Sequence, residues 1–132
     1  MNSLKEDNYV DKAEDVIKKL KERKNQKGKP IPLVSISKLR NLLAMTADIY
    51  NEVSMSRDGE ISEDCRKKIE YLRIRFVYEA GRDNEGVRPF VEEADILNIL
   101  KEIGSSKDNF ILFNRYMESL VAFHRYYGGK DS

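Results

Sequence analysis

The sequence predicts an all-α protein, a compact bundle of about five helices. Three observations carry that reading. Apolar residues recur at three- and four-residue spacing in five separate segments, with no strand-length alternation of apolar and polar positions. Ser, Asp or Asn stands at the head of most of these segments, where the first N–H groups of a helix need an acceptor. Glycine and proline mark the joints between the segments.

The first helix is expected from about Asn8 to Lys24, on a stripe of Val10, Ala13, Ile17 and Leu20 with Asp7 or Asn8 as cap. Its closing turns are lysine-rich, which suits the negative end of the helix dipole. Gly28, Pro30 and Pro32 mark a loop from Asn25 to Pro32. The second helix starts near Ser35 or Ser37 and carries Leu39, Leu42, Leu43, Thr46, Ile49, Tyr50 and Val53 until Ser56–Gly59 breaks it. Ser62 caps the third, with Glu63 and Asp64 in its first turn, and Gly81–Gly86 ends it. Pro89 suits the first position of the fourth, which holds Phe90, Ala94, Leu97 and Leu100 and stops at Gly104. Ser105–Asp108 reads as a capping box for the fifth, which runs to Tyr127 before Gly128-Gly129. With no repeat and no long linker, residues 1–132 are expected to form a single domain, with 1–7 and 129–132 as flexible ends.

The third helix is apolar on two sides. Cys65, Ile69, Leu72, Phe76 and Ala80 fall in one stripe, and Tyr71, Ile74, Val77 and Tyr78 in a second, roughly opposite. Lys68, Arg75 and Arg82 line one seam between them, Arg66 and Arg73 the other. Such a helix either lies centrally or also meets a partner. A core helix with snorkelling arginines fits the segment equally well.

Charged residues make up 36% and hydrophobic ones 40%, so the chain is expected to be soluble and to fold. The net charge of +1 conceals segregation. Lys18, Lys19, Lys21, Arg23, Lys24, Lys27 and Lys29 stand against Glu22 alone, while acids gather at Asp11/Glu14/Asp15 and Glu92/Glu93/Asp95. Segregated charge lets one surface attract a polyanion and another a protein. Cys65, the single cysteine, allows no internal disulfide, and its place on the core stripe predicts a buried thiol. No apolar run suggests a signal peptide or a membrane span, so a cytoplasmic protein is expected.

Catalytic patterns are missing. The single histidine, His124, shares the apolar side of the last helix with Phe113, Met117, Leu120 and Tyr127, which predicts packing and not base or ligand chemistry. Zinc, redox, dinucleotide and P-loop motifs do not occur. Glu92, Glu93 and Asp95 lie on an expected solvent face without further ligands nearby in sequence. No enzyme, cofactor, metal or small-molecule substrate is therefore expected. Two outer faces combine arginine with small residues: Arg40, Ala44, Ala47 and Asn51 on the second helix, and Arg115, Ser119, Ala122 and Tyr126 on the last, with Arg125 at its border. Guanidinium beside small side chains suits phosphate; a merely solvated face fits the spacing equally.

Three runs are distinctive: Ser37–Leu43 (S-K-L-R-N-L-L), Tyr71–Arg82 (Y-L-R-I-R-F-V-Y-E-A-G-R), and Phe113–Phe123 followed by Tyr126–Asp131. Together with Glu6–Val10 and Ile96–Ile103, the chain resembles the small subunit of the Csm-type (type III-A) CRISPR interference complex over nearly its whole length. The loops Lys24–Val34, Ser54–Ile61 and Asn84–Val87 are the expected variable parts.

The resemblance implies a non-catalytic helical bundle. It implies copies that stack along the inner filament of a ribonucleoprotein and touch the duplex of guide RNA and target RNA through its backbone, with cleavage and signalling left to other subunits. It implies nucleic-acid contacts at Lys38 and Arg40, at Arg73, Arg75 and Arg82, and at Arg115. Arg73, on the opposite border of its helix, suits a subunit contact as well. Expected partners are guide RNA, target RNA, other subunits of the complex and further copies of the chain, with no membrane. The alternative is a helical protein–protein adaptor whose arginine rows face acidic partners. A third possibility is non-specific DNA binding by the Lys18–Lys29 segment.

Overall fold

Serine side chains start three of the helices. Ser35 Oγ accepts from Lys38 N–H at 3.3 Å, Ser62 Oγ from Cys65 N–H at 3.2 Å, and Ser106 Oγ from Asn109 N–H at 3.2 Å. Each satisfies one of the donors that a helix leaves free at its first turn. The last cap is Ser106, not Ser105, so the final helix begins at Lys107. The computed structural model describes residues 3–128. Its helices are α1 (Tyr9–Lys21), α2 (Ile36–Ser54), α3 (Glu63–Arg82), α4 (Val87–Glu93), α5 (Ile96–Glu102) and α6 (Lys107–Tyr126).

The all-α expectation holds, with six helices among the described residues instead of five. The expected fourth helix is two, α4 and α5. Asp95 breaks it by adopting the left-handed conformation at φ 58°, which Asp tolerates better than most residues. Pro89 is the third residue of α4 and not the first. The first helix also stops earlier, at Lys21. Of the expected flexible ends, 1–2 and 129–132 lie outside the described residues, whereas Leu4 is buried in the core at 1% exposure.

One hydrophobic cluster joins all six helices. α6 runs through it between α1 and α2. Phe113 on α6 meets Phe76 of α3 and Phe110 edge-on, with ring centroids 6.5 Å and 6.2 Å apart. Tyr116 is fully buried, and its hydroxyl donates to the Ala94 carbonyl at 2.9 Å, which fixes the joint between α4 and α5 against α6. α2 and α6 are antiparallel: His124 meets the Val34 carbonyl just ahead of α2, and Lys107 Nζ reaches the Ser54 carbonyl at α2's end, 3.3 Å away.

His124 is fully buried, and its Nε2 bonds the Val34 carbonyl. A carbonyl only accepts, so Nε2 carries a proton. Nδ1 has no partner among the described residues. Burial pushes its pKa below the ordinary histidine value; the Val34 bond opposes this and Arg125 adds to it. The unfolded chain takes up a proton near pH 6.5 while the folded chain resists it. The resulting stability is complete above that pH and is lost as pH falls below it. Urea midpoints should therefore drop between pH 7.5 and pH 5.5, and His124→Gln should remove most of that drop. An equal drop in the variant would locate the effect elsewhere.

Candidate nucleic-acid interface

The stripe Cys65, Ile69, Leu72, Phe76 and Ala80 is the buried face of α3, as its spacing predicts. The second apolar face points outward: Tyr71, Ile74, Val77 and Tyr78 are between 52% and 61% exposed. α3 is thus an edge helix with an unpartnered apolar face, not a central one. Its arginines border that face.

Arg75, Glu79 and Arg82 follow one another at four- and three-residue spacing along one border of α3. Across from them, Lys38, Asn41 and Met45 line a border of α2. Between the two helices lies a groove of about 420 Å³ that holds Lys38, Arg75 and Arg82 together. The Arg75 and Arg82 guanidinium carbons lie 5.3 Å and 5.5 Å from the centre of the exposed Tyr78 ring, which fixes their long stems. A second groove, lined by Met45, Ile49, Tyr71 and Leu72 among others, continues from the first and shares Met45 and Arg75 with it.

Two carboxylates balance these cations. Glu79 Oε1 lies 3.3 Å from Arg75 and 3.5 Å from Arg82. Asp83 Oδ2 lies 2.7 Å from Lys38 Nζ. The same carboxylate accepts the N–H groups of Gly86 at 3.0 Å and Val87 at 3.2 Å, so it also caps α4. The Lys38 hydrogen bond, supported by those two N–H groups, holds the Asp83 carboxyl below its ordinary range against the opposing effect of burial. That contribution to stability is present above the ordinary carboxylate pKa and is lost as pH falls through the lowered one. Sequence reasoning passed over both acids. Glu79 was readable, since it stands four residues after Arg75 and three before Arg82. Asp83 was not, because 45 residues separate it from Lys38.

The other three candidates lie outside the groove. Arg73 is on the opposite border of α3, paired with Glu70 at 3.2 Å. Arg40 sits two residues past Lys38, about 160° around α2, on the exposed face with Ala44 and Asn51. Arg115 is on the exposed face of α6 with Ala122 and Tyr126. Neither Arg40 nor Arg115 forms an ion pair among the described residues. The described residues also hold no cluster of three or more His, Cys, Asp or Glu suited to a metal, and no helix long and apolar enough to cross a membrane.

Residues 6–130 match the family Csm2 Type III-A. The chain belongs to the Csm2 family. Csm2 relatives cover it almost end to end. A protein of Streptococcus thermophilus named CRISPR system Cms protein Csm2 is 40% identical over 131 residues, 99% of this chain and 100% of its own. The protein of that name from Mycobacterium tuberculosis is 38% identical over 129 residues, 98% of each chain. The Enterococcus italicus protein is 33% identical over 121 residues, 87% of this chain and 86% of its own. The resemblance carried by the three distinctive runs is thereby borne out, and two of those runs, on α2 and α3, supply the walls of the groove.

Proposed function

We propose that this Csm2-family chain is a non-catalytic small subunit of a type III-A CRISPR effector complex, a single helical domain acting in the cytoplasm in antiviral defence. Its copies stack along the inner filament and grip the duplex of guide RNA and target RNA by its backbone, without reading sequence. The carrying observation is the α2–α3 groove, which gathers Lys38, Arg75 and Arg82 from two of the three distinctive runs. Guanidinium forks and an ammonium suit phosphate oxygens whatever the base, so specificity is left to base pairing. The relatives' names place them in a CRISPR system, which supplies the context for a duplex ligand. The exposed Tyr71, Ile74, Val77 and Tyr78 supply an apolar surface for a neighbouring subunit. One copy contributes few contacts, and stacked copies on one duplex gain by making each further contact intramolecular.

The test is a mild-salt pulldown of tagged protein from its native host, with bound RNA sequenced and bound proteins identified. Discrete guide RNAs together with a fixed set of CRISPR subunits are expected. The same proteins recovered without RNA, and surviving nuclease, would favour the adaptor reading, in which the arginine rows face acidic partners. Loss of Lys18, Lys19 and Lys21 outweighing loss of Arg75 and Arg82 would favour non-specific binding through the lysine segment.

A further inference from the structure

The lysine-rich segment after α1 is not a frayed helix end. Asn25 Oδ1 accepts the N–H groups of Lys27 at 2.9 Å and Lys29 at 3.0 Å, while Asn25 N–H donates to the Lys29 carbonyl at 2.8 Å. Gly28 closes the turn at φ 77°, donating to the Asn25 carbonyl at 2.9 Å. Arg23 fastens its base: its guanidinium donates to the carbonyls of Leu20 at 3.1 Å, Pro32 at 3.3 Å and Glu85 at 3.5 Å. Lys18 and Lys19 lie near Glu14 and Glu93. Lys24, Lys27 and Lys29 are exposed and form no ion pair among the described residues. A fixed turn therefore presents three unpaired ammonium groups.

An aromatic platform stands where the end of α6 meets the closing turns of α1. Tyr127 donates its hydroxyl to Glu14 at 2.7 Å, and the ammonium groups of Lys18 and Lys21 lie 5.9 Å and 5.6 Å from its ring centre. Tyr126 packs edge-on against Tyr127 at 5.1 Å and is itself 79% exposed. Lys21, which reaches the Tyr127 ring, stands three residues before the turn begins. Lysines alone attract any polyanion. Among nucleic acids, an open tyrosine face suits a base that is not already stacked in a helix.

We propose that the Lys24–Lys29 turn and Tyr126 form a second RNA site, distinct from the α2–α3 groove, that binds a single-stranded segment with its phosphates on the lysines and an unpaired base on Tyr126. Through Arg23 and Glu85 the turn is tied to the loop that carries Asp83, so the site lies at the same end of the bundle as Lys38. The site goes beyond the duplex reading, since it takes a different form of the polymer on different residues.

Anisotropy titrations of the full chain against a labelled single-stranded RNA, and against the same strand annealed to its complement, test the proposal. Three variants are compared with the parent: Lys24→Gln with Lys27→Gln and Lys29→Gln; Tyr126→Ala; and Arg75→Ala with Arg82→Ala. Circular dichroism monitors folding, and all substituted lysines and Tyr126 are exposed. The lysine variant is expected to bind single strands about tenfold more weakly, with its salt slope reduced by about two, at ~0.7 per phosphate contact. Tyr126→Ala is expected to lose about tenfold for single strands with little change for duplex. Single-strand affinity of Tyr126→Ala within about twofold of the parent, or equal losses for both ligands in the lysine variant, would overturn the site. The double arginine variant reports separately on the groove: its failure to weaken duplex binding would overturn the duplex reading and leave this one standing.

Discussion

Phe113→Ala is expected to cost about 3–5 kcal/mol of folding free energy. Phe113 has no exposed surface, and it fills the space between Phe76 of α3 and Phe110 one turn earlier on α6. Truncation removes both edge contacts and leaves a cavity that rings held by two different helices cannot close. Domains of this size are stable by only about 5–15 kcal/mol, so the variant should be partly unfolded at moderate urea. Phe113→Leu keeps most of the volume and should cost far less, below about 1.5 kcal/mol if neighbours repack. Equilibrium urea unfolding, with the midpoint falling at unchanged slope, is the check. A loss under about 1 kcal/mol for the alanine variant would mean that the α3–α6 contact is not where the core is tightest.

The second large effect is on RNA. Arg75→Ala combined with Arg82→Ala should weaken duplex binding by about tenfold or more near physiological salt and reduce the salt slope by nearly two. The loss should be uniform across sequences, since phosphate contacts carry no base information. Glu79 makes the test sharper. It lies within 3.3–3.5 Å of both arginines, so the double variant leaves a carboxylate facing the duplex without its partners. Glu79→Gln should act in the opposite direction and raise affinity. Titrations against two unrelated duplexes at several salt concentrations decide the matter. Unchanged affinity in both variants would remove the groove from the RNA-binding surface.

Much of this fold was legible because helix period and helix caps are local signals. The α3 core stripe and the starts at Ser35 and Ser62 could be read directly. The break between α4 and α5 could not. Glu93-Ala94-Asp95-Ile96 contains no glycine or proline to announce the positive φ at Asp95, and the Tyr116 bond to the Ala94 carbonyl beside it is long-range. Lys21 and Lys24 read as a helix end because cations suit that position, and Gly28, Pro30 and Pro32 mark the loop that follows; the bonds that Asn25 Oδ1 makes within it, and those from Arg23 to Pro32 and Glu85, were not readable. For the candidate site, spacing alone put Arg75 and Arg82 on one seam. That Lys38 faces them, and that Arg40 two residues on does not, needed the tertiary pairing of α2 with α3. Tyr78 became recognisable as the post between the two arginines only once the side chains had positions.

Asp83 and Glu79 have a consequence for what the groove ignores. A lone anion arriving there finds every ammonium and guanidinium group already opposite a carboxylate. Free phosphate or a dissolved nucleotide can only exchange one partner for another, with little net gain at an exposed surface. A polymer differs, because its second and third phosphates arrive at high effective concentration once the first is seated. If the groove binds RNA as proposed, the internal carboxylates would act as a length filter, keeping small phosphorylated metabolites from competing with the chain.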